Sequence, residues 1–247
     1  ELERATHFAI LWRDPELSRR ARESNILLQQ RQRELDGIEL TPGLKKELST
    51  LKKAAYRDKR QQCYPVKQLP QILAGLPRDR DTWISQAIFF TPAPDKGWRP
   101  NRRKISFAST AVAFVDFDTY TKDGRGHFRD VDHVLQFVLA RCREHGMPEP
   151  SCAIDSGRGV HIKYIMPEGG GTPRRALPRW EALEREMITF FAQWPELGTD
   201  KRCKDASRVL RLDQTLNQKA GRYAEVLWVN EDVDGDPVTP ARSFPGG

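Results

Sequence analysis

Asp116 and Asp118 close an apolar run, AVAFVDFDTY over residues 111–120, and their spacing could do chemistry. Val and Phe favour a β-strand, and the run has about the length of an average one. Side chains two apart on a strand share a face, so the two carboxylates project together beside Val112 and Phe114. Like charges held that close repel unless a cation sits between them or one takes a proton. A hard divalent ion such as Mg²⁺ or Mn²⁺ relieves the repulsion. The plainer reading is a strand running out into a solvated turn, where Asp is common.

Three further stretches carry reactive side chains. In DSGRGVH, Ser156 and Arg158 occupy a Gly-rich turn, while His161 and Lys163 follow on one strand face. Glycines there let a phosphate approach the backbone, and Ser, Arg and His are three kinds of phosphate donor. A Gly turn also simply joins two strands. KDASRVLRL sets Asp205 just ahead of a strand, and RLDQTLNQKAGR carries Arg211, Asn217 and Lys219. Taken alone, these read equally well as loop, cap and turn residues.

The elements that must position these groups follow from periodicity. Residues 1–62 read as helical, with ESNILLQQRQRELDGIEL at helical spacing and Thr41-Pro42 placed to start a second helix. Their many long polar side chains suggest an arm that binds DNA, packs on the core or joins a further segment. Pro65, Pro70 and Pro77 mark a junction that encloses a short helix over LPQILAGL. TWISQAIFF reads as a strand, TKDGRG as a turn, and residues 128–146 as an amphipathic helix with Gly146 as its cap. SCAID and HIKYIM form a hairpin, LPRWEALEREMITFFAQW a second helix, and RVLRL and AEVLWVN short strands. The mixture predicts an α+β fold with a largely antiparallel sheet.

Composition narrows the class. With 38% hydrophobic and 30% charged residues and no long apolar run, the 247-residue chain reads as soluble and without a membrane span. It opens on Glu1 and ends in Pro-Gly-Gly, so it reads as a piece of a longer protein cut in a linker. Cys63, Cys142, Cys152 and Cys203 are scattered without a CxxC pair, which points to reduced intracellular thiols. A net charge of +7 favours polyanionic partners. Arg99, Arg102, Arg103 and Lys104 cluster just ahead of the two-Asp strand, as a solvated loop or a phosphate contact.

Taken in order, a strand ending in Asp-x-Asp, then Ser156 to His161, then Asp205 before Arg211 and a Thr215-x-Asn217-x-Lys219 stretch resembles the archaeo-eukaryotic primase superfamily, in its plasmid and phage replication type. Asp213 and Gln214 stand where plasmid members usually carry Pro-Gly. The resemblance covers about residues 82–230. It implies a two-lobed α+β catalytic core with an RRM-like antiparallel sheet over residues 63–247, and leaves residues 1–62 as a helical extension. It further implies primase or primase-polymerase activity: template-directed nucleotidyl transfer on single-stranded DNA with two divalent ions, Mg²⁺ or Mn²⁺. Asp116, Asp118 and Asp205 would be the catalytic metal ligands. Ser156, Arg158, His161, Lys163 and Arg211 would hold the nucleoside triphosphate. Arg102, Arg103, Lys104, Asn217 and Lys219 would meet the nucleic acid, with Trp83 or Trp98 stacking on a base. The expected setting is a bacterial cytoplasm, in replication of a mobile element, with a replicative helicase or further domains of the same chain as partners.

Two other readings compete. One is a metal-dependent nuclease, including a plasmid relaxase; a relaxase of the two-histidine type needs a His-x-His pair, which the five histidines do not form. A non-catalytic single-strand-binding replication protein has no need of three acids together.

Overall fold

A computed structural model describes residues 6–91, 97, 99–119, 130–167 and 171–231. These form two compact units: Leu11–Gln62, and the rest of the described chain. Strand β1 (Thr6–Arg13) begins in the larger unit and ends in the smaller. This corrects the helical expectation at the N-terminus. Phe8, Ala9, Ile10 and Leu11 are buried in succession, the pattern of a strand covered on both faces.

The smaller unit is a pair of packed helices, α1 (Pro15–Glu34) and α2 (Pro42–Ala55). Asp14 accepts from the Leu17 N–H and Thr41 from the Leu44 N–H, each followed by a proline at the first helical position. Leu28 and Ala21 of α1 are buried, whereas no residue of α2 is.

β2 (Lys59–Pro65) begins in the smaller unit and ends in the larger, where the short helix α3 (Leu69–Gly75) leads into β3 (Thr82–Ser85) and β4 (Ile88–Phe90). The stretch read as one strand is thus two, because β3 and β4 lie on opposite sides of β1. Ser85 serves the crossing: its hydroxyl donates to the Ala87 carbonyl and accepts from the Ala9 N–H. β5 (Phe107–Thr110) pairs with β4, and the first sheet runs β10-β3-β1-β4-β5-β9, with β9 at Thr172–Pro173, β10 at Val209–Arg211 and β2 also paired to β1.

The second sheet carries the acidic strand. β6 (Val112–Phe117) forms one edge, followed across by β8 (Val160–Ile165), β7 (Cys152–Asp155) and β13 (Glu225–Val229), all antiparallel. Helix α4 (Val131–Glu144) is capped by Asp130 and lays Val134, Leu135, Val138 and Leu139 against Ala113, Val115 and Phe117. Helix α5 (Leu177–Phe191) serves two cores: Met187 and Phe191 join that cluster, while Leu177 and Trp180 join Phe89, Phe107, Leu210 and the opposite-facing Phe114. β6 is therefore buried on both faces, each fully covered Phe being worth about 1.5–3 kcal/mol. A small ribbon, β11 (Leu216–Asn217) with β12 (Arg222–Tyr223), completes an α+β fold. No helix among the described residues is long and apolar enough to cross a membrane.

The outer edge of β6 is closed by side chains and one returning loop. Glu184 accepts from the Phe114 N–H at 2.8 Å, and the Trp180 indole donates to the Val112 carbonyl at 3.0 Å. Glu184 is fully buried, its Oε2 has no hydrogen-bond partner among the described residues, and burial pushes its carboxyl up to about 8. The folded chain therefore binds a proton here that the unfolded chain releases, so stability is present below the ordinary carboxylate range and lost as pH rises towards 8. Glu184→Gln keeps the acceptor and removes the titration. Relative to wild type, its unfolding free energy should gain on the order of 3 kcal/mol between pH 5 and pH 8. Paired urea melts at those two values check this, and parallel curves would sink it.

Candidate active site

Asp116 faces His161 directly across the β6–β8 ladder, with His161 Nε2 3.4 Å from Asp116 Oδ1. On the other side of β6, a returning segment makes a bridge between Phe117 and Thr199: the Asp118 N–H donates to the Gly198 carbonyl at 2.9 Å, and the Asp200 N–H to the Asp116 carbonyl at 2.8 Å. Two glycines permit this closeness. A Cβ at Gly159 would stand 1.9 Å from the Phe117 carbonyl oxygen, and one at Gly198 2.3 Å from that of Asp118. Gly198 also holds a φ of +60°, which other residues reach only at a cost.

The bridge delivers Asp200 beside Asp116, and one ligand atom each from Asp116, Asp200 and Cys203 lie within 4.8 Å of one another. Burial pushes the Asp116 carboxyl up, but the charge and hydrogen bond of the facing His161, with Arg208, outweigh it and hold it low. Asp118 is driven the other way. Partial desolvation, then the Asp116 and Asp200 charges, raise it against Arg158 and His161. Three acids converge with one of them destabilised as an anion, which is the electrostatic condition a bound divalent cation would relieve. Arg208 ties down Asp200 through Nη2–Oδ2 at 2.7 Å and His161 meets Asp116, so Asp118 carries the unmet demand. The carboxylate oxygens fit a hard cation, while burial pushes the neighbouring Cys203 thiol up and keeps it protonated.

Asp205 lies outside this group. Its carboxylate accepts from the Ser207 N–H and hydroxyl, both at 2.8 Å, in a local turn, as its plainer sequence reading expected. Asp200 and Arg208 were missed, because the neighbouring acids of TDKRCKD are equivalent by type and only the Phe117–Thr199 bridge distinguishes them.

The predicted phosphate residues divide. Arg158 borders Asp118, and His161 is buried against Asp116 with Nδ1 unpartnered among the described residues. Lys163, two further along the same face, has its ammonium lowered by burial, between Cys152 and Asp213. Ser156 instead holds the turn, donating its hydroxyl to the Gly159 carbonyl at 3.1 Å. Arg211 is turned away: it is buried, pairs with Asp81 at 2.6 Å and stacks over Trp83 at 4.9 Å. Asn217 is also structural, donating to the Ser156 carbonyl at 2.7 Å and accepting from the Lys219 N–H, which ties the 211–223 loop to the hairpin turn.

Of the basic group, Arg102 is half-buried, donates to the Ser207 carbonyl and lies near Asp205, and Lys104 pairs with Glu181. Arg103 and Lys219 are exposed. Trp98 and the turn at 121–126 lie outside the described residues.

No family model matches the sequence. The chain is 29% identical over 130 residues to a replication protein from Clostridium perfringens. This chain resembles a bacterial replication protein. The match takes in 53% of the chain but only 29% of that relative's length, so the chain spans less than a third of it. Among solved structures, the AEP domain of the cyanophage S-2L primase-polymerase is similar with a TM-score of 0.46 and 14% identity, over 92% of this chain and 82% of that one.

Proposed function

We propose that this chain is the catalytic domain of a replication primase or primase-polymerase that joins nucleotides on a single-stranded DNA template. The observation that carries the reading is the convergence of Asp116, Asp118 and Asp200 at the end of β6, ringed by His161, Arg158 and Arg208. The ordered motifs and the replication-protein relative support it.

Two divalent ions, when bound, would lower the charge cost of an attacking 3′-hydroxyl and a departing pyrophosphate. Asp116 and Asp118 would hold them through oxygen. Asp200 is the third acid favoured by position, and the bonding of Asp205 to Ser207 supports that choice over Asp205. His161, held by Asp116, and Arg158 would bind the incoming triphosphate, with Lys163 further along the same strand face. Arg103 and Lys219 remain as exposed contacts to template phosphates.

The test is primer synthesis on single-stranded DNA with labelled nucleotides and Mg²⁺ or Mn²⁺. Products from the wild type that vanish in Asp116→Asn/Asp118→Asn support the reading. A wild type that binds single strands yet makes no product, with or without a supplied primer, replaces it with a binding module.

A further inference from the structure

The smaller unit carries a surface that the catalytic reading does not use. Lys45, Lys46, Lys52 and Lys53 of α2 form two adjacent pairs offset by seven residues, and at 3.6 residues per turn they occupy one stripe about 120° wide. Leu44, Leu48, Leu51, Ala54 and Ala55, the half-buried positions, lie on the other side of the helix. The only acid of α2, Glu47, is taken by Arg31 of α1 at 2.9 Å. All four lysines are exposed, and none is ion-paired among the described residues. An uncompensated stripe of this kind is a face that a polyanion neutralises.

A second observation separates it from an ordinary solvated face. Tyr56, the C-terminal cap of α2, falls eleven residues after Lys45, which brings it back onto the middle of the lysine stripe. Its side chain is 77% exposed, the most exposed of the large apolar residues among those described. An aromatic ring left in water at the end of a row of lysines has the two components that single strands bind: cations for the backbone and a flat surface for a base.

We propose that the outer face of α2 binds single-stranded DNA, with Lys45, Lys46, Lys52 and Lys53 on successive phosphates and Tyr56 stacked on a base. The stripe is roughly 16 Å long, enough for a few nucleotides. The inference rests on the reading that the chain works on single-stranded DNA, and gives the helical pair the task of holding template.

The experiment uses the full chain and fluorescein-labelled oligothymidylate, with anisotropy titrations across a range of salt. Replacing the four lysines by Gln should weaken binding at least about tenfold at low salt and flatten the log–log salt slope by up to about 3, roughly 0.7 per phosphate contact. Tyr56→Ala should weaken binding about tenfold with the slope unchanged, because stacking releases no counterions. Circular dichroism should match wild type throughout, since every altered side chain is exposed. If both variants bind with wild-type affinity and slope, the surface is refuted while the catalytic reading stands on its own test. If the lysine variant loses binding to duplex DNA or to phosphatidylserine vesicles but not to oligothymidylate, the assignment to single strands is overturned. A wild type that binds no oligothymidylate at all brings down both readings together.

Discussion

Replacing Asp116 by Asn should reduce nucleotide incorporation by at least about 10³-fold, the several kcal/mol of transition-state charge stabilisation that a metal ligand supports. The change keeps size and hydrogen-bonding capacity but removes the charge that His161 Nε2 meets at 3.4 Å. The loss should appear in turnover, because template binding does not depend on this carboxylate. Asp118→Asn should be similarly inactive, yet more stable than wild type near neutral pH. Its carboxyl is raised by partial desolvation and by Asp116 and Asp200, so ionising it works against folding as pH rises. A site that is repulsive when empty and active when filled predicts this opposition of stability and activity. Labelled-nucleotide assays with Mn²⁺ beside thermal melts at pH 7 read both quantities. Wild-type turnover in Asp116→Asn would end the catalytic assignment.

Gly159→Ala should cost on the order of 3 kcal/mol of stability and most of the activity. The new Cβ would meet the Phe117 carbonyl oxygen at 1.9 Å, a backbone atom that no side-chain rotation can move aside. β8 and β6 are locked in register, Val160 opposite Phe117 and His161 opposite Asp116, so relief of the clash must displace the pair on which the site depends. Gly75→Ala is the control: nothing lies within 4 Å of its Cβ and it sits at the end of α3, so it should be neutral or slightly stabilising. Urea unfolding of the three proteins checks the contrast. Equal midpoints for Gly159→Ala and wild type would mean that the strands do not approach as closely as described.

Much of this architecture was legible along the chain, because it depends on local period and local chemistry. The β-favouring run VAFVDF specifies a strand, and the two-residue spacing of Asp116 and Asp118 at its end puts them on one face; VDHVLQFVLARCRE has the stripe of an amphipathic helix; and DSGRG between two β-forming runs makes a hairpin turn. Those features need only neighbours within a turn or a strand. The motifs assigned Asp116 and His161 to one site without pairing them; the strand register makes them direct neighbours.

Tertiary structure decided what spacing could not. Asp200 and Asp205 are the same residue type five positions apart, and only the bridge from Phe117 to Thr199 brings Asp200 to the site while Asp205 turns to Ser207. Arg211 and Asn217 look like ligand-binding groups in sequence because a buried ion pair and a loop tie use the same side chains as a binding site does. Which role each plays depends on Asp81 and on the Ser156 carbonyl, 130 and 61 residues away in the chain. The first strand was missed for a related reason. A short apolar run such as FAIL fits helix or buried strand equally, and the partners that settle it, β3 and β4, lie more than seventy residues further on. Side-chain type and period are local properties, whereas the partner that gives a polar group its task is chosen by the folded chain.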